Sequence, residues 1–269
     1  MNHGLEPRLH RGADLTGDLT TSRPLGLPGT IRACLFDLDG VLTDTAPDHA
    51  AAWKDVLDDY LARRALERGE PFLPFDPVGD YLTLVDGRRS EDGVRAFLES
   101  RGIEPPEREP TGSGLATIAR LAKQKNARVL ERFRRGGVRP FDDAVRYVDE
   151  ALRQGLPCGV VSSSSNCRVV LAEAGIAGLF QVVVDAPAAT RARLAGKPAP
   201  DMYLAGARAL GVLPGSTAVF EDAPAGVSAA RSGRFGYVVG IARRDGTAAL
   251  DGADVIVASF DALVGAGAP

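Results

Sequence analysis

The order of the apolar segments limits the possible folds of this chain more than any other feature. One short strand pattern, Ile31-Arg32-Ala33-Cys34-Leu35-Phe36, stands alone, and the residues after it are patterned as helix. From Pro47 to Arg64, His49, Trp53, Val56, Leu57, Tyr60 and Leu61 recur at helical spacing, and two further helical patterns lie near 90–101 and 113–134. Beyond Pro140 the texture changes to alternation: helices near 142–154, 166–174, 200–210 and 224–232 are interleaved with apolar strands at 156–161, 179–184, 217–220, 236–241 and 254–257. Strands joined through helices predict a parallel sheet covered by helices. The lone first strand most simply joins that sheet. Residues 31–45 and 139–269 then form one α/β core, and 46–138 form a helical domain inserted into it. Residues 1–30 mix Gly, Pro, Thr and charge without period and read as a flexible or loosely docked extension.

Charge and cysteine content narrow the functions open to such a fold. Acidic residues number 35 against 32 basic, a formal charge of −3, so no positive field favours nucleic acid or an anionic membrane. No apolar run is long enough to span a bilayer and the first thirty residues lack a signal-peptide core, which predicts a soluble, cytoplasmic protein acting as a monomer or weak homo-oligomer. Cys34, Cys158 and Cys167 are odd in number and lack metal-ligand spacing, so they read as reduced, mostly buried thiols. Only Lys54, Lys123, Lys125 and Lys197 are lysines in a chain otherwise rich in arginine. A retained lysine hints at a need for a compact point charge.

Ligands of open parallel sheets bind beyond the carboxyl ends of the strands, so the residues just past each strand are read together. Asp37 and Asp39 follow the first strand, and Ser162, Ser163, Ser164, Ser165 and Asn166 follow 156–161. Gly196-Lys197-Pro198 precedes a helix, and Glu221-Asp222 ends the strand at 217–220. Two separated acidic pairs suit a hard cation held through oxygen, and Mg²⁺, which keeps waters and accepts phosphate, fits better than a calcium cage. Ser162, nearby backbone N–H groups and the Lys197 ammonium supply donors for phosphoryl oxygens. Asp37 can then attack phosphorus, while Asp39 passes a proton to the leaving oxygen and later takes one back.

Singly, each piece has a plainer explanation. Asp-Gly after a strand is common turn chemistry, four serines are often a loop, and Glu-Asp often caps a helix. Gly196-Lys197 is no P-loop, because Pro198 replaces the Ser/Thr ligand and the upstream glycine is absent. The basic run Arg132, Arg134, Arg135 and Arg139 reads as a solvated helix end in an acidic chain. What outweighs the plain readings is four polar signals in a fixed order, each at a strand end or a helix start.

In that order, Phe36-Asp37-Leu38-Asp39-Gly40-Val41, Val160-Val161-Ser162, Gly196-Lys197-Pro198-Ala199-Pro200-Asp201 and Val219-Phe220-Glu221-Asp222-Ala223 resemble the four motifs of the haloacid dehalogenase superfamily of aspartate-nucleophile phosphohydrolases and phosphomutases. The resemblance spans about residues 31–258. It implies a Rossmann-like α/β core with a small α-helical cap, with Asp37 as nucleophile, Asp39 as acid/base, and Ser162, Ser163 and Lys197 on the phosphate. Mg²⁺ would lie among Asp37, the Asp39 carbonyl, Glu221 and Asp222.

The cap resembles that of the beta-phosphoglucomutase-like branch in three stretches: Thr43-Asp44-Thr45-Ala46 with His49 and Trp53, Val85–Asp92, and Leu121–Asn126. That implies Thr45 and His49 assisting Asp39, and Trp53, Lys125 and Asn126 facing a sugar phosphate. Ser164 and Asn166 would hold a distal, non-transferring phosphate. Simple counting sets Ser90 where relatives carry a phosphate-gripping arginine, and Ser165 where they carry a lysine, with Arg88 and Arg89 just before Ser90. A slipped register would let Arg89, or its neighbour Arg88, serve. His49 and Trp53, one helical turn apart, equally suit a packing face.

Three functions stay open at this point. The favoured one is a Mg²⁺-dependent mutase interconverting a sugar 1-phosphate and 6-phosphate through a bisphosphate. The nearest rival is a sugar-phosphate phosphatase. The third is a non-enzymatic module phosphorylated on aspartate, like receiver domains, against which Asp39 and the cap insertion count.

Overall fold

Six strands and their covering helices set the frame of the protein, seen in a computed structural model that describes residues 25–106, 116–243 and 250–264. The strands are β1 (Ala33–Phe36), β2 (Cys158–Val161), β3 (Val182–Val184), β4 (Thr217–Glu221), β5 (Tyr237–Ile241) and β6 (Val255–Val257). They pair in the order β3-β2-β1-β4-β5-β6, and every pairing is parallel. β1, β2 and β4 are buried along their whole length, which is why they read as unbroken apolar runs without alternation. Successive residues still face opposite ways: Phe36 and Phe220 stack at 4.5 Å on one face, while Leu35 and Val219 pack with Met202 and Tyr203 on the other.

The strand order reverses direction at β1, whose neighbours are β2 on one side and β4 on the other. Such a switch point opens a crevice beyond the carboxyl ends, and Asp37 is the first residue to enter it. Helices α4 (Asp142–Arg153), α5 (Cys167–Glu173), α6 (Ala186–Arg191), α7 (Asp201–Ala209), α8 (Pro224–Ser232) and α9 (Asp261–Val264) belong to this core.

No strand interrupts the described residues between β1 and β2. They form α1 (Ala46–Arg68), a π-helical turn (Tyr81–Val85), α2 (Ser90–Ser100) and α3 (Ile118–Gly136). These close around an apolar cluster of their own, with Trp53, Leu57, Tyr60, Phe75, Phe97, Leu98 and Leu121 at its centre. The two connections to the core run side by side: the Asp44 N–H donates to the Arg139 carbonyl at 3.0 Å and the Phe141 N–H to that of Leu42 at 2.9 Å.

The strand edges differ from expectation for local reasons. The strand expected from 156 begins at Cys158, because Pro157 has no N–H to enter a ladder. The strand expected from 179 begins at Val182, because Ala177–Leu179 turn as a 3₁₀ helix. Helix α1 runs past Arg64 to Arg68, where Gly69 at φ 64° donates its N–H to the Ala65 carbonyl and closes the helix.

The larger correction concerns the extension. Leu25 and Leu27 are fully buried against the core, and the Tyr147 hydroxyl donates to the Leu25 carbonyl at 2.9 Å. Residues 25–30 are therefore docked and not a loose tail; residues 1–24 lie outside the described residues. All three cysteines are buried, and none forms a disulfide with another. No helix among the described residues is long and apolar enough to cross a membrane.

Candidate active site

Each strand end delivers a side chain into one crevice. Asp37 donates its N–H to the Phe220 carbonyl at 2.9 Å, which prolongs the β1–β4 pairing by one residue and fixes the carboxyl beside β4. Gly40 then turns at φ 89°; a Cβ there would collide with the Asp222 carboxylate, so glycine is needed on both counts. That turn brings Asp39 back under α1. At the end of β2, the Ser162 hydroxyl accepts from the Ser164 N–H and the Ser164 hydroxyl from the Asn166 N–H, both at 3.1 Å, a chain of local bonds leading into α5.

Lys197 is the buried cation at the centre. Its ammonium donates to Asp37 Oδ1 and Glu221 Oε1, each at 2.5 Å, and to the Val161 carbonyl at 3.1 Å. Burial alone would lower the lysine pKa, but the two carboxylates outweigh it and hold the ammonium well above its ordinary value. One ammonium between two carboxylates leaves negative charge over. Burial pushes Asp37 up to about 8 although Lys197 opposes it, and burial with Asp86 and Asp37 pushes Asp222 far above the carboxylate range.

Carboxylate oxygens of Asp37, Glu221 and Asp222 lie within 4.8 Å of one another. A hard divalent cation suits that donor set and supplies the missing positive charge. The three differ in freedom. Glu221 already accepts from Lys197, from the Tyr203 hydroxyl at 2.7 Å, and from the N–H groups of Asp222 and Ala223 at 3.1 and 3.2 Å. Asp222 has no such anchoring and faces the cavity beside Asp37 and Asp39.

The helical domain supplies the opposite wall. The Thr45 hydroxyl donates to Asp39 Oδ1 at 2.5 Å, and His49 Nε2 stands 3.4 Å from the same oxygen without a hydrogen-bond partner. Lys125 Nζ lies 2.9 Å from His49 Nδ1 and 5.1 Å from the Trp53 ring centroid. An ammonium can only donate, so Nδ1 accepts and the ring proton sits on Nε2, aimed at Asp39. Burial drives His49 down to about 4, with Lys125 acting the same way against Asp39, so the imidazole is neutral. Burial likewise lowers Lys125 to about 8. Trp53 does both things its sequence allowed: it lines the cavity and packs in the helical cluster.

The remaining expected residues fall into two groups. Arg88 lines the cavity together with Ser90, Ser162, Ser163 and Ser164. Arg89 does not; its Nε binds Asp92 Oδ2 at 3.0 Å, the side chain lies over Gly196, and it faces a neighbouring cleft of about 540 Å³. Asn126 ties the two walls together, accepting from Ser90 Oγ at 2.8 Å, donating to Ser165 Oγ at 3.0 Å, and receiving Asn166 Nδ2 on its carbonyl at 3.3 Å. Ser163 donates to the Gly87 carbonyl at 2.8 Å, another bond between the walls.

Sequence reasoning missed Tyr81, Asp86 and Gly87, which also line the cavity. Asp86 and Gly87 lay within the Val85–Asp92 stretch that resembles the family's cap, without a role of their own, and Tyr81 had no signal. The π-helical turn it opens, closed by the Asp86 N–H on the Tyr81 carbonyl at 2.9 Å, has no period a sequence displays.

An aspartate at the end of the first strand, a second aspartate two residues on, a paired lysine and an acidic pair on one rim define a class of phosphoryl-transfer proteins. The model of the haloacid dehalogenase-like hydrolases matches residues 31–234, and the chain belongs to that family. It is an enzyme, a phosphomutase or a phosphatase. A Mycobacterium tuberculosis protein named beta-phosphoglucomutase is 50% identical over 250 residues, covering 90% of this chain and 95% of its own. Hexitol phosphatase A of Escherichia coli is 29% identical, covering 85% of this chain and 91% of its own. The crystal structure of beta-phosphoglucomutase from Clostridium difficile superposes with a TM-score of 0.68 at 26% identity, covering 87% of this chain and 93% of that one.

Proposed function

We propose that the protein interconverts beta-glucose 1-phosphate and glucose 6-phosphate through a glucose bisphosphate, with Asp37 carrying the phosphoryl group between them. The observation that carries this reading is the closeness of the helical cap. His49 reaches Asp39 from the cap with Lys125 behind it, and the cavity left between the walls is only about 30 Å³, room for a water or two. A mutase needs such closure, since water reaching an aspartyl-phosphate ends the cycle as hydrolysis. The mycobacterial relative named above supports the same substrate.

In the first half-reaction an Asp37 carboxylate oxygen bonds to phosphorus as the bond to the departing oxygen breaks, and Asp39 gives that oxygen its proton. In the second, the other sugar hydroxyl takes the phosphoryl group from Asp37 and returns a proton to Asp39. Thr45 and His49, both directed at Oδ1, hold Asp39 in place for each transfer. Asp37 and Asp222 would hold Mg²⁺ with the Asp39 carbonyl, and Glu221 would join them by releasing one of its present donors. When bound, the cation offsets carboxylate repulsion toward the arriving dianion. Ser162 and its neighbouring N–H groups would bind the transferring phosphoryl oxygens. Arg88, Ser164 and Asn166 would bind the distal phosphate.

Hydrolysis is the second reading, and one observation favours it: Ser90 stands on the cavity wall bound to Asn126 and offers the distal phosphate no charge. The test follows glucose 6-phosphate and inorganic phosphate together, with Mg²⁺, beta-glucose 1-phosphate and a trace of glucose 1,6-bisphosphate. Isomer without matching phosphate release is expected. Phosphate release with little isomer would make the protein a phosphatase.

A further inference from the structure

Asp86 is a carboxylate with no task in the chemistry above. It ends the π-helical turn with extended backbone, φ −65° and ψ 137°, and the next residue pins it to the core. Gly87 turns at φ 68°, its carbonyl accepts from Ser163, and its Cα faces Ala223 so closely that a Cβ would stand 2.7 Å from the alanine methyl. The Asp86 side chain is thus held against the site from the cap side. Tyr81, one π-turn earlier, lines the same cavity beside it. No lysine or arginine pairs with it among the described residues.

Two tasks are excluded by chemistry. A carboxylate does not bind phosphate, and Asp86 is not among the residues whose oxygens cluster within 4.8 Å around the cation site. It stands where the closed cavity meets a second cleft of about 490 Å³, with Tyr81 and Asp222 lining both. Asp86 and Asp37 line the same cavity, so a ring attached to a phosphoryl group at Asp37 would bring its hydroxyls toward that wall. A carboxylate has about four acceptor positions to offer.

We propose that Asp86, beside Tyr81 on the cavity wall, accepts hydrogen bonds from hydroxyls of the sugar ring and so sets which sugar phosphates the cap admits. This rests on the sugar-phosphate reading above. Burial that leaves acceptor positions empty is costly, and donated hydroxyls relieve it. The effect is selective because a substrate lacking that hydroxyl leaves the carboxylate buried and under-bonded.

The experiment compares the full-length protein with Asp86→Asn and Asp86→Ala, in Mg²⁺, on glucose 6-phosphate, its 2-, 3- and 4-deoxy analogues and acetyl phosphate. Unaltered protein should lose about 10- to 100-fold in kcat/KM on at least one deoxy sugar, the scale of a hydrogen bond to a charged group. In Asp86→Ala that penalty should collapse, because the hydroxyl no longer has its acceptor, and the loss on glucose 6-phosphate should exceed the loss on acetyl phosphate. A penalty that survives in both variants, with equal losses on all substrates, overturns the proposal in favour of a structural role. A weakened Mg²⁺ affinity by calorimetry with the penalty intact overturns it in favour of the cation. Should the unaltered protein itself show no preference for hexose phosphate over acetyl phosphate, the sugar-phosphate reading falls, and the role of Asp86 with it.

Discussion

Lys125 shows how much one buried side chain governs. Burial lowers its pKa to about 8 while Asp39 and Asp86 pull it back up, so it is charged below that pH and loses its proton above it. Once neutral it no longer fixes the His49 tautomer by obligatory donation, nor offers charge to a sugar phosphate. We predict that kcat/KM falls as pH rises through about 8, and that Lys125→Arg, whose guanidinium stays protonated, moves this alkaline limb upward; an unmoved limb assigns it to another group. Arg88 and Arg89 make a second residue-scale contrast. Only Arg88 faces the cavity, so Arg88→Ala should cut isomerisation about 10- to 100-fold more than acetyl phosphate hydrolysis, whereas Arg89→Ala should leave that ratio near its starting value. Product assays on both variants decide it. The core carboxylates, Ser162 and Lys197 were legible in the sequence because each follows a strand or opens a helix. Two of only four lysines, Lys125 and Lys197, turned out to be buried at the site, as their rarity hinted. Which of two adjacent arginines points inward was not legible, since that depends on the backbone rotation entering α2.

Among the elements, the loop from the π-helical turn into α2 meets the core directly, at Ser163 and Ala223. Its fit depends on Gly87, where positive φ and the nearby Ala223 methyl both exclude a side chain. Gly87→Ala puts strain of about 1 kcal/mol or more into the loop. The collision exists only while the cap is down, and tilting the cap away relieves it. Activity on sugar phosphates should therefore fall by about 100-fold, the scale of a misplaced reacting group, while the melting temperature drops by only about 2–4 °C. A wild-type rate in this variant would mean that the contact with Ala223 is not part of the working state. The strands were readable because both faces of a parallel sheet are buried and leave continuous apolar runs. Docking of Leu25 and Leu27 was hidden for the opposite reason, because two leucines around one glycine carry no period.

At the scale of the whole molecule, the apolar interior is divided. Two clusters flank the sheet, and a third lies among α1, the π-helical turn, α2 and α3. Across the seam beside the active site the two walls meet through hydrogen bonds: Asn126 with Ser165 and Asn166, and Ser163 with Gly87. Moving the cap exchanges those bonds for bonds to water and leaves the helical cluster whole, while Ala52 of α1 and Val129 and Phe133 of α3 tie the cap to the sheet cluster. Motion is required, because about 30 Å³ admits no sugar phosphate. Divided cores also predict divided unfolding. Phe97 is fully buried in the helical cluster, edge-on to Phe75 at 5.5 Å. Phe97→Ala should cost that cluster about 3–5 kcal/mol. Because the sheet clusters do not share the lost contacts, calorimetry should resolve an early transition for the helical domain followed by one near the original temperature for the core. Mutase turnover should vanish at the first transition, since Lys125, His49 and Arg88 leave with the cap. A single transition shifted as a whole would instead show that the two connections and the polar seam couple the domains into one cooperative unit.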